Sequence, residues 1–194
     1  MAWGVILVPL DGSQLAERVL PYADALARAT GASLTLMTAI ENDEEGVLDR
    51  LPALRERLEL GARDQAAQHL ERSAALLRAW GRTVSTLITS GRPAEEILDT
   101  AERLDAAVIA MATHGRSGLQ RWLVGSVADK VMRLSHRPTL LVRPLEDHEP
   151  LQPLDLTRLM VPLDGSPLAE RALQVLLQRL GEEAAERQSS ALSS

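Results

Sequence analysis

The stretch Val108-Ile-Ala-Met-Ala-Thr-His-Gly-Arg-Ser-Gly-Leu-Gln-Arg-Trp-Leu-Val-Gly-Ser-Val-Ala-Asp-Lys-Val131 decides the fold. Its head, Ala106 to Ala112, is a short apolar run of the kind that forms a parallel strand buried on both faces. Thr113 to Gly118 interrupts the run with a hydroxyl, a histidine and two glycines. A helix is predicted from Gly125-Ser126 onward, with Ser126 as N-cap and Asp129 three residues on in an S-x-x-D capping arrangement. Strand, glycine-bearing loop and helix N-terminus in this order make an anion site. Free N–H groups and the positive dipole end point past the carboxyl end of the strand, and glycine lets phosphate oxygens approach the backbone. The stretch therefore predicts a nucleotide site on a parallel sheet.

The flanking sequence fits the same plan. Val5 to Leu10 reads as a buried strand ending in the turn cluster Asp11-Gly12-Ser13. Residues 14–30 carry Leu15, Val19, Leu20, Ala23, Leu26 and Ala27 at helical spacing, and Gly31 sits where a helix ends. Ser33 to Ile40 is a second strand. Leu51 to Trp80 is a long amphipathic helix whose stripe of Leu54, Leu58, Ala62, Ala66, Leu70, Ala74 and Leu77 is expected in the core. His69, on that helix, and His136 are expected at the surface. Thr83 to Thr89 is a third strand. Pro93, followed by Glu95 and Glu96, opens a helix to about Leu104. Thr139 to Val142 is a last strand. This alternation predicts a doubly wound α/β fold on a five-stranded parallel sheet.

Composition narrows the function. A net charge of -6 with no basic, aromatic-rich cluster argues against nucleic-acid binding. No apolar run is long enough for a membrane span. With no cysteine there is no disulfide and no thiolate chemistry, which suits a reducing cytoplasm. The amino terminus shows no charged and apolar leader pattern. No pair among the four histidines has metal-ligand spacing, so no metal site and no catalytic residue is assigned.

Residues 146–156 form a polar, proline-containing linker, after which the chain repeats itself. Val8-Pro-Leu-Asp-Gly-Ser-Gln-Leu-Ala-Glu-Arg18 returns as Val161-Pro-Leu-Asp-Gly-Ser-Pro-Leu-Ala-Glu-Arg171. Residues 157–194 hold one strand, one helix and a polar tail, too little for a core of their own. This incomplete copy is a truncated second domain, an addition to the first sheet, or an element swapped in a dimer. Residues 1–145 make the full domain.

Four motifs together resemble the universal stress protein (UspA) family. They are Val8-Pro-Leu-Asp-Gly-Ser13, Gly91-Arg-Pro-Ala-Glu-Glu-Ile97, Thr113-His-Gly-Arg-Ser-Gly118 and Gly125-Ser-Val-Ala-Asp-Lys-Val131. They fall in the family's order over residues 3–144, and the repeat resembles its tandem members. The resemblance implies a Rossmann-like adenine-nucleotide-binding (alpha hydrolase-like) domain, cytoplasmic and homodimeric, that serves stress adaptation with ATP, accompanied by Mg²⁺, as its ligand.

ATP-holding members of the family carry G-x2-G-x9-G-(S/T). Gly115, Gly125 and Ser126 match that pattern, and Ala112 stands at its first glycine. A methyl group there is compatible with ordinary strand φ and excluded where φ must be positive. The resemblance further implies that Pro9, Leu10 and Ala39 flank the adenine. It implies that Ala112, His114, Gly115, Arg116, Gly125, Ser126 and Val127 belong to the nucleotide-binding set, with Gly115 and Gly125 where phosphates touch the backbone. Asp11 either accepts from adenine or ribose or caps the first helix, and the two roles are compatible. Loop residues His114 and Arg116 either reach phosphate or are simply solvated.

Three functions follow. The first is a nucleotide-binding regulatory module that uses main-chain N–H groups, since no P-loop is present. The second is a slow ATPase or nucleotidyl-transfer enzyme. The third is a nucleotide-free module that dimerises through the edge strand Thr139–Val142.

Overall fold

The computed structural model describes residues 4–41, 52–113, 125–143, 150–155, 166, 170 and 174. Five strands form one sheet: β1 (Val5–Pro9), β2 (Ser33–Ile40), β3 (Val84–Ser90), β4 (Val108–Ala112) and β5 (Thr139–Val142). They lie in the order β3-β2-β1-β4-β5, and every neighbouring pair is parallel. The helices are α1 (Gln14–Glu17), α2 (Leu20–Thr30), α3 (Pro52–Ala79), α4 (Pro93–Arg103) and α5 (Ser126–Leu134).

Side chains alternate across the sheet and build a core on each face. Ile6, Val8, Leu34 and Leu36 pack with Ala23 and Ala27 of α2 and with Leu70, Ala74 and Leu77 of α3. Leu7, Met37, Ile109 and Met111 point the other way, into Ile97 and Ala101 of α4 and Ala128 and Val131 of α5. Every residue of β4 is buried, which is why the strand is a continuous apolar run in the sequence. Among the described residues no helix is long and apolar enough to cross a membrane.

The helix predicted over 14–30 is two helices. Arg18 and Val19 close α1 with N–H bonds to Leu15 and Ala16 carbonyls, and α2 restarts at Leu20 with Pro21 in its first turn. Pro21 has no N–H to return to Glu17, so one continuous helix cannot form. Gly31 ends α2 at φ 66, a left-handed position that glycine adopts without strain.

The long helix departs from its predicted stripe. Leu70, Ala74 and Leu77 are buried, but Leu54 and Leu58 are 45% and 52% exposed. Length explains it. At 1.5 Å per residue α3 is about 42 Å long, whereas a strand the size of β3 spans about 23 Å. Arg63 donates to the hydroxyl of Ser90, the last residue of β3, so the turns before Arg63 extend past the sheet.

His69 is buried rather than at the surface, with Nε2 3.7 Å from Glu17 Oε1. Ser73 donates to the same Glu17 oxygen at 3.0 Å, which ties α3 to α1. His136 is exposed, as expected.

Candidate functional site

The chain goes from β1 to β2 on one side and later returns to β4 on the other, so the connections that follow β1 and β4 lead to opposite faces of the sheet. Ligands bind at such a switch point in doubly wound sheets. A cleft of about 390 Å³ lies there, within the size range of small-molecule sites.

Each wall has a distinct origin. Pro9, Leu10 and Asp11 come from the end of β1, and Met37, Ala39 and Glu41 from β2. Ala112 and Thr113 end β4, Gly125 to Ala128 begin α5, and Pro93 and Ile97 come from α4. The site residues expected at Pro9, Leu10, Asp11, Ala39, Ala112, Gly125, Ser126 and Val127 therefore meet in one cleft. His114, Gly115 and Arg116 lie outside the described residues.

Local bonds fix these walls. Leu10 N–H donates to the Met37 carbonyl at 2.8 Å, and Thr38 Oγ1 donates to the Leu10 carbonyl at 3.0 Å. The ends of β1 and β2 are thereby held together beyond the regular ladder. Asp11 Oδ1 accepts the Ser13 N–H at 2.9 Å, and Ser13 Oγ accepts the Ala16 N–H at 3.1 Å. Ser13, not Asp11, is thus the N-cap of the first helix; Asp11 shapes the turn before it.

At α5 the cap is Gly125, with φ −57 and ψ 150 and no side-chain cap bond. Ser126 is the first helical residue, one position later than the capping pattern placed it. Asp129, expected to complete that pattern, has its carboxylate paired with Arg133 at 3.0 Å. The first intrahelical bond runs from Asp129 N–H to the Gly125 carbonyl. The N–H groups of Ser126, Val127 and Ala128 precede it, and all three residues line the cleft.

Space, not φ, favours glycine at 125. A Cβ there would sit 3.2 Å from the Thr113 carbonyl oxygen. Ala112 is a regular strand residue in register with Val142, and it is not among the positive-φ residues. The backbone condition for tolerating its methyl group is met.

The charged residues among the described lining are Asp11 and Glu41, both acids. The positive end of α5 is the opposing field. Lys130 Nζ holds α5 to α4 through Glu95 Oε1 at 2.9 Å. That bond keeps the Glu95 carboxyl below its ordinary range. Arg137, leading into β5, does the same to Glu102 at the other end of α4, and its own pKa is raised in return. No group of three or more His, Asp or Glu placed to hold a metal occurs among the described residues.

Glu41, Met37, Pro93, Ile97 and Thr113 line the cleft without having been assigned to it from sequence. Thr113 and Glu41 lie just beyond strand ends and were findable from strand boundaries alone. Ile97 lies one turn into α4 and needs the helix's orientation.

A doubly wound parallel sheet with a switch-point cleft and a helix N-terminus opening into it defines a Rossmann-like α/β protein. The universal stress protein family model matches residues 3–143, and the chain belongs to that family. It is 36% identical over 140 residues to a universal stress protein of Thermus aquaticus, covering 71% of this chain and 97% of that one. The solved structure of MJ0577 from Methanocaldococcus jannaschii is 27% identical, with a TM-score of 0.67 over 76% of this chain and 100% of that one. The universal stress protein of Archaeoglobus fulgidus in complex with dAMP shares the fold at 21% identity, with a TM-score of 0.51 over 74% of this chain and 98% of that one.

Proposed function

We propose that this protein is a cytoplasmic regulatory module in stress adaptation that binds ATP with Mg²⁺ in the switch-point cleft. The observation that carries the reading is the convergence of Asp11, Ala39, Ala112 and the glycine-capped start of α5 on one cleft. The wall of Met37, Ala39 and Ile97 is apolar and suits a purine. The N–H groups of Ser126 and Val127 suit phosphate oxygens, which a helix N-terminus attracts. Asp11, which also lines the cleft, suits a ribose hydroxyl. His114, Gly115 and Arg116 complete the phosphate side in this reading. The A. fulgidus relative's complex with dAMP supports an adenine nucleotide as the ligand class.

Binding, not turnover, is the assigned role, because the mechanism rests on fixed main-chain donors and an apolar wall. Slow hydrolysis is the alternative, and a time course with ATP in excess separates the two. Calorimetry with ATP, with and without Mg²⁺, tests the reading. Micromolar binding that Gly125→Asp abolishes supports it, and absence of binding at millimolar ATP rejects it.

The second reading, a homodimer through Thr139–Val142, is favoured by one observation. Among the described residues β5 is an edge strand, and Thr139, Leu140 and Leu141 are only partly buried. An unpaired strand edge is a template for a second copy. Sedimentation measurements with and without ATP test it. A dimer that persists in Gly125→Asp would make association independent of nucleotide.

A further inference from the structure

The end of α2 grips the polypeptide that follows the domain. Asp24 is fully buried, and each of its carboxylate oxygens faces a guanidinium. Oδ2 accepts from Arg28 Nε at 3.1 Å, and Oδ1 lies 3.1 Å from Arg82 Nε. A guanidinium fixed at Nε has a planar fork left to offer. Arg28 uses that fork on the linker: Nη1 donates to Asp155 Oδ1 at 3.0 Å, and Nη2 donates to the Leu154 carbonyl. Four residues before Asp155, Leu151 packs against the core cluster of α2, α3 and the sheet.

We infer that Asp24, Arg28 and the apolar seat of Leu151 form a recognition site for residues 150–155, which clasps the inter-repeat linker to the domain. The segment it fits has an aliphatic anchor followed, three and four residues later, by a carbonyl and a carboxylate. An exposed ion pair alone contributes little, and the Asp155 side chain is 77% exposed. Affinity therefore comes from Leu151 and the main-chain bond to Leu154, while Asp155 selects the register. The buried Asp24 acts through Arg28 and is a positioning residue.

Arg28 lies just before Gly31 and the start of β2, and Arg82 just before β3, so both sit at the amino ends of the strands. The switch-point cleft is at the carboxyl ends. The clasp therefore holds residues 150–155 at the end of the sheet away from the cleft.

The chain has no cysteine, so labels can be placed singly or in pairs without background. Spin labels at Gln152→Cys and Glu71→Cys, both exposed positions, report the distance from the linker to α3. A single narrow distance distribution is expected in the full chain. Leu151→Asp and Asp155→Arg should each broaden it at least about twofold, with the circular dichroism of the domain unchanged. A distribution already broad in the parent chain, or unchanged in both variants, would overturn the inference. Broadening by Leu151→Asp alone would overturn the assignment of Arg28 as the recognising group.

Discussion

The N–H of Gly125 donates to the carbonyl oxygen of Thr113 at 2.6 Å. This bond joins the end of β4 to the cap of α5, so two lining residues of the cleft are held against each other. In the sequence, residues 114–124, with the expected site residues His114, Gly115 and Arg116, lie between these two. A side chain at 125 strikes the same carbonyl oxygen.

Gly125 variants should grade the site. Gly125→Ala forces a shift of a few tenths of an ångström at Thr113, and ATP affinity should fall about fivefold to tenfold, roughly 1–1.4 kcal/mol. Gly125→Asp adds bulk and a negative charge where phosphate is proposed to lie, and should cost more than about a hundredfold. Calorimetry reads both, and a thermal melt of each variant shows whether the fold is intact.

Ala112→Gly tests whether the methyl group at the family's first glycine obstructs the ligand. Ala112 has regular strand geometry, so ATP affinity should change less than about threefold, under 1 kcal/mol. Glycine in a strand should lower stability by about 0.5–1 kcal/mol. A tenfold gain in affinity would show that the methyl group crowds the nucleotide.

Asp24 is fully buried between two arginines. Removing one member of a buried ion pair leaves uncompensated charge and costs about 3–5 kcal/mol. Because Arg28 and Arg82 retain partial contact with solvent, Asp24→Ala should lose about 3 kcal/mol or somewhat less in urea unfolding. Asp24→Asn, which keeps the size, isolates the contribution of charge.

The pairs Glu95–Lys130 and Glu102–Arg137 make a pH prediction. Both carboxyls titrate below the ordinary value of 4.5 in the folded protein, Glu95 through its hydrogen bond to Lys130 and Glu102 through that to Arg137. A lowered folded pKa contributes stability above the unfolded value that is lost as pH falls through the folded one. Glu95→Gln and Glu102→Gln should therefore melt slightly below the parent at pH 7 and converge with it below pH 4. Melting curves from pH 7 to pH 3 check this. Both side chains are exposed, so the differences should be small.

Much of the fold was legible because burial on both faces leaves unbroken apolar runs. β2 and β5 carry the boundaries read from sequence, and β1, β3, β4, α4 and α5 differ only at their ends. What was not legible depends on partners far along the chain. His69 looked like a surface residue because its helix neighbours are polar, and the Ser73–Glu17 bond that shields it spans 56 residues. Asp24 gave no sign of burial, since Arg82 approaches from beyond α3. The exposure of Leu54 and Leu58 reflects a helix longer than its sheet, which periodicity cannot reveal. At the site, strand ends and a glycine-led helix start marked most of the cleft. Ser126 was placed as a cap because serine is a favoured N-cap residue, but glycine also takes that position and Gly125 does so here.

An ATP titration followed by amide resonances of the isotopically labelled protein tests the central claim most directly. The account predicts saturable shifts concentrated at Asp11, Ala39, Thr113, Gly125, Ser126 and Val127, with Arg28 and Arg82 at the far end of the sheet unmoved. Shifts centred away from the β1–β4 switch point, or none at millimolar ATP, would contradict it.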